Sequence, residues 1–436
     1  MSPAFKDTFK APDLRKKILF TIGMLAIYRL GCYIPTPGIN GKALSQFFAS
    51  MPGNLLSIAN FFAGGALGSA TIFALGIMPY ISISIVLELL AGIFPYFERI
   101  LRSGVEGRRK FTQWTRIGTV LLCIVQGFMV SIWLENPSHF GNIVMVSHPG
   151  WKFIAITIIT LTAGTSFLMW LGEQITEKGI GNGISLIIAG GIISQIPAAI
   201  QQMTMLTSEG LLSPVLIVFL IILIFFVVAA AIALSQAERR VPIQYAKRVV
   251  GRKVYGGQST YLPIKINQGG VLPLIFAIAF VTFPSIMLQF SNKPVFRNLA
   301  MILSPASGPG MILYGLLIVG FCYFYAAIIF NPEHIAEDLK NYGGFIAGIR
   351  PGKTTSEYLE KILVRLTLPG SLMLVGIAIL PYILMHIFKI QSYLIVSMFG
   401  GIGLLIVVEV ILETMNQVEA NLVMRQYEGF LRKVHR

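Results

Sequence analysis

The chain has 436 residues, of which 55% are hydrophobic and only 12% charged, and its formal net charge is +15. Soluble domains carry about 25% charged residues. The composition therefore excludes a soluble enzyme, a disordered chain and a disulfide scaffold, and points to a polytopic membrane protein.

A helix needs about 20 apolar residues to cross the hydrocarbon core. Open strands would leave backbone groups unpaired in lipid, so long apolar runs are read as helices. The first run, 18–34, ends at Ile34-Pro35-Thr36-Pro37. It is long and no small-residue cleavage site follows it, so a span is expected rather than a cleavable signal. The next run, 55–67, is too short to cross, and Gly64, Gly65 and Gly68 weaken it as a helix while permitting close packing. It is expected to be a short re-entrant half-helix inside the bundle. Runs at 71–94, 117–134, 153–171, 184–200, 214–234, 271–290, 311–330, 366–388 and 394–412 complete ten spans. The expected fold class is an all-α polytopic membrane protein of ten transmembrane helices plus that short helix. Ten spans divide naturally into halves at 1–200 and 201–436. Because five is odd, halves that repeat one another would have to be inverted.

Charge sets the orientation. Most of the 34 Lys and Arg residues fall in the N-terminal tail, in the loops after the even spans and in the C-terminal tail. The opposite loops hold only Lys42, Lys152, Lys293, Arg297 and Lys389. The positive-inside rule then makes both termini cytoplasmic. Two of the cytoplasmic loops are long, 235–270 and 331–365, and loops of that length usually have a task. The first alternates apolar residues through Gln236-Ala-Glu-Arg-Arg-Val-Pro-Ile-Gln-Tyr245 and is expected to project as a hairpin. Its basic tip carries Lys247, Arg248, Arg252 and Lys253. Such loops suit a large acidic or RNA-containing partner, or lipid headgroups.

No catalytic constellation is present, and the histidines show no ligand spacing. Gly179-Ile-Gly-Asn-Gly183 lacks the Lys and Ser/Thr of a phosphate loop and reads as a tight turn. Cys32, Cys123 and Cys322 each sit in an apolar run, as core residues do. No metal, cofactor or enzymatic activity is expected. Three charges lie within spans: Arg29, Glu88 and Glu409. Arg29, near the far end of its span, could snorkel. Intramembrane charges are functional candidates. The two carboxylates would suit a proton-coupled small-solute transporter, which is one class of function the residues leave open.

Four longer motifs point elsewhere. They are Phe61-Phe-Ala-Gly-Gly-Ala-Leu-Gly-Ser-Ala-Thr-Ile-Phe-Ala-Leu-Gly-Ile-Met-Pro-Tyr-Ile-Ser82; Gly164-Thr-Ser-Phe-Leu-Met-Trp-Leu-Gly-Glu-Gln-Ile-Thr-Glu-Lys-Gly-Ile-Gly-Asn-Gly-Ile-Ser185; Tyr245-Ala-Lys-Arg248 with Gln258-Ser-Thr-Tyr-Leu-Pro-Ile-Lys265; and Asn331-Pro-Glu333 with Gly348-Ile-Arg-Pro-Gly352. In order and spacing, over nearly the whole chain, they resemble the SecY/Sec61 family of protein-conducting channels in its bacterial form.

That resemblance implies an hourglass of two inverted five-helix halves hinged between spans 5 and 6, in a bacterial inner membrane. It implies a passive gated channel for unfolded secretory proteins. The energy would come from the SecA motor ATPase, the ribosome or the proton-motive force, and SecE and SecG would be small partner subunits. Signal peptides and membrane helices would leave into the lipid between span 2 and spans 7–8. By position in the motifs, the constriction ring would be Ile77, Ile81, Ile184, Ile188, Ile275 and Ile406. Ile77/Ile81 and Ile184/Ile188 are i, i+4 pairs, each on one helix face. A ring of isoleucines can close around any chain and stop ions by dewetting. The plug would be about 54–70, with Asn60, Phe61, Phe62, Gly64, Gly65 and Leu67. The lateral gate would include Ser82, Ser84, Glu88 and Phe283. Lys247, Arg248, Arg252, Lys253 and Arg350 would meet SecA or the ribosome. Glu88 and Glu409 stand where the family often carries uncharged residues.

Overall fold

Seven helices among the described residues are long and apolar enough to cross a membrane, and an eighth counts if a bent pair is taken as one span. The computed structural model describes residues 12–50, 55–140, 143–210, 212–245, 248–250, 253–255, 259–289, 294–389 and 392–434. The remaining two of the ten expected spans are α1 (Pro12–Gly31), whose first turns are charged, and α11 (Leu272–Gln289), whose apolar stretch Leu272–Thr282 is short.

Between α1 and the second span lie α2 (Gly41–Ser50) and the short α3 (Leu55–Phe62). Span 2 is α4 (Met78–Ile93), followed by α5 (Pro95–Arg102), which turns away by 109° at Pro95. Spans 3 and 4 are α6 (Val105–Glu135) and α7 (Trp151–Lys178). Span 5 is α8 (Gly183–Ile193) with its continuation α9 (Ile196–Ser208), and span 6 is α10 (Pro214–Gln236). After α11 come α12 (Pro294–Leu303), α13 (Gly308–Ile329, span 8), α14 (Pro332–Asn341) and α15 (Lys353–Phe388, span 9). Span 10 is α16 (Tyr393–Met398) leading into α17 (Ile402–Val434).

Local sequence explains where several of these begin. Asn182 caps α8 by accepting from the Ile184 and Ser185 amides at 3.1 and 3.3 Å. Ser213, Ser307 and Asn331 cap α10, α13 and α14 in the same way, each with proline at the first or second helical position. A capping oxygen takes up an orphan amide, and proline lacks the donor that would be stranded there.

The structure corrects four boundaries. Span 2 is helical only from Met78; Thr71 bridges to Pro35 and residues 72–77 are turns, although equally apolar. Their backbone groups go elsewhere: Ile72 N donates to Ile34 O at 3.0 Å, while Ala74 N to Thr71 O at 2.9 Å and Gly76 N to Phe73 O at 2.8 Å close tight turns. Span 4 presses on this stretch so closely that a Cβ on Gly164 would stand 2.0 Å from the Ile72 carbonyl oxygen. The expected half-helix over 55–67 ends at Phe62, where Gly64 (φ +66°) and Gly65 (φ +86°) take left-handed conformations open to glycine. Span 5 breaks at Ser194 and Gln195, ahead of Pro197. The expected loop 331–365 is mostly ordered secondary structure, and α15 already starts at Lys353.

The mostly helical fold also carries a small sheet outside the spans. The loop after span 6 is a hairpin of β1 (Glu238–Tyr245) and β4 (Ser259–Lys265), antiparallel, with Val241 opposite Leu262. A ribbon of β2 (Arg248–Val250) and β3 (Lys253–Tyr255) extends its end. The loop after span 8 supplies β5 (Gly344–Ile346), which pairs with the free edge of β1. The two loops are thus one three-stranded sheet, ordered β4-β1-β5. Its alternate residues Val241, Ile264 and Ile346 are buried with Phe330, Leu359, Ile362 and Leu363 in a small core of its own. The main core lies among the spans, and all three cysteines are buried, as expected of core residues.

Candidate channel seal and gate

Five of the six isoleucines of the expected ring are buried: Ile77 (4% exposed), Ile81 (6%), Ile188 (4%), Ile275 (6%) and Ile406 (0%). They come from spans 2, 5, 7 and 10 and join one apolar cluster, against which the partly buried Ile184 also packs. The same cluster takes in Ile58, Phe61, Phe62 and, from its edge, Leu67. The helix α3 packs on α8, α11 and α16.

The seat of α3 is built from close approaches. A Cβ on Gly403 would lie 2.6 Å from the Phe61 ring, so span 10 offers Phe61 a bare backbone. A Cβ on Gly64 would lie 2.9 Å from the Gly191 Cα. Gly403 precedes Ile406 by three residues and Gly191 follows Ile188 by three, so each contact shares a helix face with a ring isoleucine, one turn away. The chain runs in opposite directions through spans 5 and 10. Both contacts therefore fall on the same side of the isoleucines, the side away from the three-stranded sheet. Tyr393 meets Phe61 edge-on, with ring centroids 5.8 Å apart.

Polar groups hold the same segment. Asn60 Oδ1 accepts from Gly68 N at 2.7 Å and folds the turn after the helix. Gln195 Nε2 donates to Phe61 O at 2.7 Å. Arg29 Nη1 donates to Gly64 O at 3.3 Å, and its guanidinium lies 5.7 Å from the Tyr33 ring centroid. Arg29 is thus engaged by residue 64 rather than reaching for headgroups. A cavity of about 320 Å³ borders this segment, lined by Ser57, Asn60, Phe61, Gln195, Gln202 and Ser392 among others. Asn54, the first residue of the expected plug range, lies outside the described residues.

On span 2, Ser82 Oγ donates to Met78 O at 3.0 Å within its own helix. Ser84 Oγ donates to Glu88 Oε1 at 3.5 Å. The other oxygen of Glu88 accepts from the Tyr325 hydroxyl of span 8, so a carboxylate hydrogen bond joins span 2 to span 8. Beside it, a cleft of about 980 Å³ is lined by Tyr80, Ser84, Glu88, Arg108, Phe324 and Tyr325 among others. Span 2 also packs on span 7 through α4 and α11. Phe283 lies on α11, and its side chain is outside the described residues. Glu409 accepts from Ser235 Oγ, tying span 10 to the end of span 6, and lies beside Gly270 at the entry to span 7. The two intramembrane carboxylates thus serve separate helix pairs, each with its own hydroxyl partners.

Arg350 is exposed on the turn between β5 and α15, where its carbonyl accepts from Thr355 Oγ1 at 2.9 Å. Arg248 and Lys253 are backbone positions on β2 and β3, and their side chains are outside the described residues, as are Lys247 and Arg252 altogether. Sequence reasoning missed Gln195, Tyr325 and Ser235. Gln195 had a signal, a lone amide inside the apolar run 184–200. Tyr325 and Ser235 had none, since what matters is the helix opposite. Among the described residues, no group of three or more His, Cys, Asp or Glu could hold a metal ion.

Comparison with solved structures finds the same fold elsewhere. The chain superposes on one described as a protein conducting channel with a TM-score of 0.64 at 19% identity, covering 93% of this chain and 92% of that one. Canine Sec61 in a ribosome–channel complex gives 0.60 at 17% identity, covering 93% and 92%. The SecY family model matches residues 71–415. The protein translocase subunit SecY of Thermotoga maritima is 43% identical over 99% of this chain and 98% of its own. That of Escherichia coli K12 is 41% identical over 97% and 95%. The chain belongs to the SecY family.

Proposed function

We propose that this chain is the pore-forming subunit of a bacterial-type protein translocase: a passive channel that conducts unfolded proteins across the membrane and releases signal sequences and membrane helices sideways. The observation that carries it is the meeting of ring isoleucines from four spans with the aromatic residues of α3 in one buried cluster. Near-full-length identity to translocase subunits supports the same reading. Ile77, Ile81, Ile184, Ile188, Ile275 and Ile406 form the constriction, and about residues 54–70 are the plug that closes it. The two halves meet between residues 200 and 201, and both termini face the cytoplasm of a bacterial inner membrane. No feature favours a proton-coupled solute transporter, since family and fold both belong to protein channels.

The hydrogen bond from Tyr325 to Glu88 crosses the lateral gate. The three-stranded sheet and the Arg350 turn form the docking platform for SecA and the ribosome, with SecE and SecG as membrane partners. One of the solved relatives was captured bound to a ribosome, which suits a basic cytoplasmic face.

The test is reconstitution with the small Sec partners in liposomes, followed by SecA, ATP and an unfolded precursor. ATP-dependent protection of the precursor from protease is expected; none, where a control channel works, would withdraw the proposal. In the same vesicles, Tyr325→Phe is expected to let precursors with weakened signal sequences pass about tenfold more readily. A hydrogen bond to a charged group contributes about 1.5–3 kcal/mol, and its loss lowers the work of parting span 2 from span 8. Glu88→Gln keeps an acceptor but not its charge, so it should fall between the parent and Tyr325→Phe. An unchanged signal requirement in Tyr325→Phe would remove this bond from the gate.

A further inference from the structure

We infer that Arg29 and Gln195 clasp the plug shut by its main-chain carbonyls, and that parting these two hydrogen bonds is a step in opening the seal. This rests on the reading of about residues 54–70 as the plug.

The last carbonyls of any helix have no partner within it, and a cation is favoured at that end. α3 ends at Phe62. Gln195 donates to the carbonyl of Phe61 in its last turn, and Arg29 to the carbonyl of Gly64 just past it. Both donors reach the plug from the side of spans 1 and 5. Gln195 is only 9% exposed and stands where α8 gives way to α9, so the break in span 5 is what presents its amide. Glycine makes the reach possible: a Cβ on Gly64 would lie 2.8 Å from the Tyr28 hydroxyl as well as against Gly191. Span 10, by contrast, meets Phe61 through its ring, at Gly403 and Tyr393. A grip on carbonyls is indifferent to the plug's side chains, whereas the apolar face of the plug answers to the ring. Arg29 and Gln195 are therefore positioning residues for the seal.

The test uses the full channel in vesicles without motor or precursor. Ion efflux reports the seal. A single cysteine introduced by Ala59→Cys reports plug position through labelling by a membrane-impermeant maleimide. Gln195→Ala and Arg29→Met are each expected to raise efflux and plug labelling about fivefold, the effect of losing one net hydrogen bond. The double variant should exceed both. Arg29→Lys, which keeps a charged donor, should fall between parent and Arg29→Met. The buried native Cys123 and Cys322 serve as the internal control. If they become labelled in step with the plug cysteine, the variants loosen the whole bundle and the clasp is overturned. Parental efflux and labelling in both single variants would overturn it too. Should Arg29→Met not assemble, Gln195→Ala decides by the same two readouts. Precursor import by the parent is scored beside them: its absence sinks the channel itself, whereas a competent parent with tight variants sinks only the clasp.

Discussion

Ile406→Asn is expected to yield a channel that leaks ions at rest more than tenfold above the parent and is less stable by about 3–5 kcal/mol. Two effects add to the stability loss. Removing a fully buried isoleucine forfeits roughly 1.5–3 kcal/mol of transfer free energy, and an unpaired amide in its place costs about 1–3 kcal/mol more. Ile406 is fully buried, so neither effect is softened by solvent. The leak has a different origin. A constriction lined by isoleucine expels water, and one amide gives water a foothold in it. The substitution also sits one turn from Gly403, where Phe61 rests, so a shifted side chain disturbs the seat of α3. Ile406→Val provides the contrast. It keeps the apolar lining, is expected to stay dry, and costs only about 0.5–1.5 kcal/mol. Efflux measured at equal folded protein, with thermal unfolding alongside, separates the two effects. A folded Asn variant as tight as the parent would remove Ile406 from the constriction.

Arg350→Glu should leave the protein folded and reduce motor-driven translocation at least tenfold. The residue is exposed, and substitutions at such positions usually change stability by less than about 0.5 kcal/mol. Its presentation is nonetheless rigid. Gly348 (φ +83°) and Gly352 (φ +101°) take conformations that favour glycine on either side. Pro351 restricts Arg350 to extended backbone, and Ile349 N donates to Ile346 O at 3.0 Å, anchoring the turn to β5. A guanidinium held this way is suited to meet a carboxylate or phosphate of a partner, and reversing its sign turns attraction into repulsion. The check is precursor protection in liposomes at several salt concentrations. The defect should be deepest at low salt, where exposed charges are least screened. Parental translocation in Arg350→Glu would remove the residue from partner engagement.

Much of this was legible in the chain itself. Apolar run length located ten spans, because lipid leaves the backbone few alternatives. The alternation through Val241 and Ile243 announced a hairpin, and the glycines at 64, 65 and 68 announced a weak, closely packed segment. The isoleucines were another matter: composition alone could not have told Ile406 from any lipid-facing isoleucine, and only the motif resemblance singled it out. Hydropathy failed at 71–77, where the residues are as apolar as a helix but Thr71 and Ile72 pair with the chain after span 1 and the next amides close tight turns. It also failed at Gln195, Tyr325 and Ser235, whose partners lie far off along the chain and are fixed by how the spans pack. The strand at Gly344–Ile346 escaped notice because three residues carry no periodicity.

That short strand bears on how the protein is made. β5 completes the sheet by pairing with β1, yet spans 7 and 8 separate it from β4 along the chain. As the polypeptide emerges from its own ribosome, the β1–β4 hairpin can close early, but one edge of β1 stays bare until both of those spans have entered the membrane. The sheet proposed as the docking platform is therefore finished only after span 8 is in place. A nascent chain arrested before residue 344 would carry the hairpin without its third strand, so newborn channels would pass through an interval in which they are threaded into the bilayer but not yet fit to recruit a client.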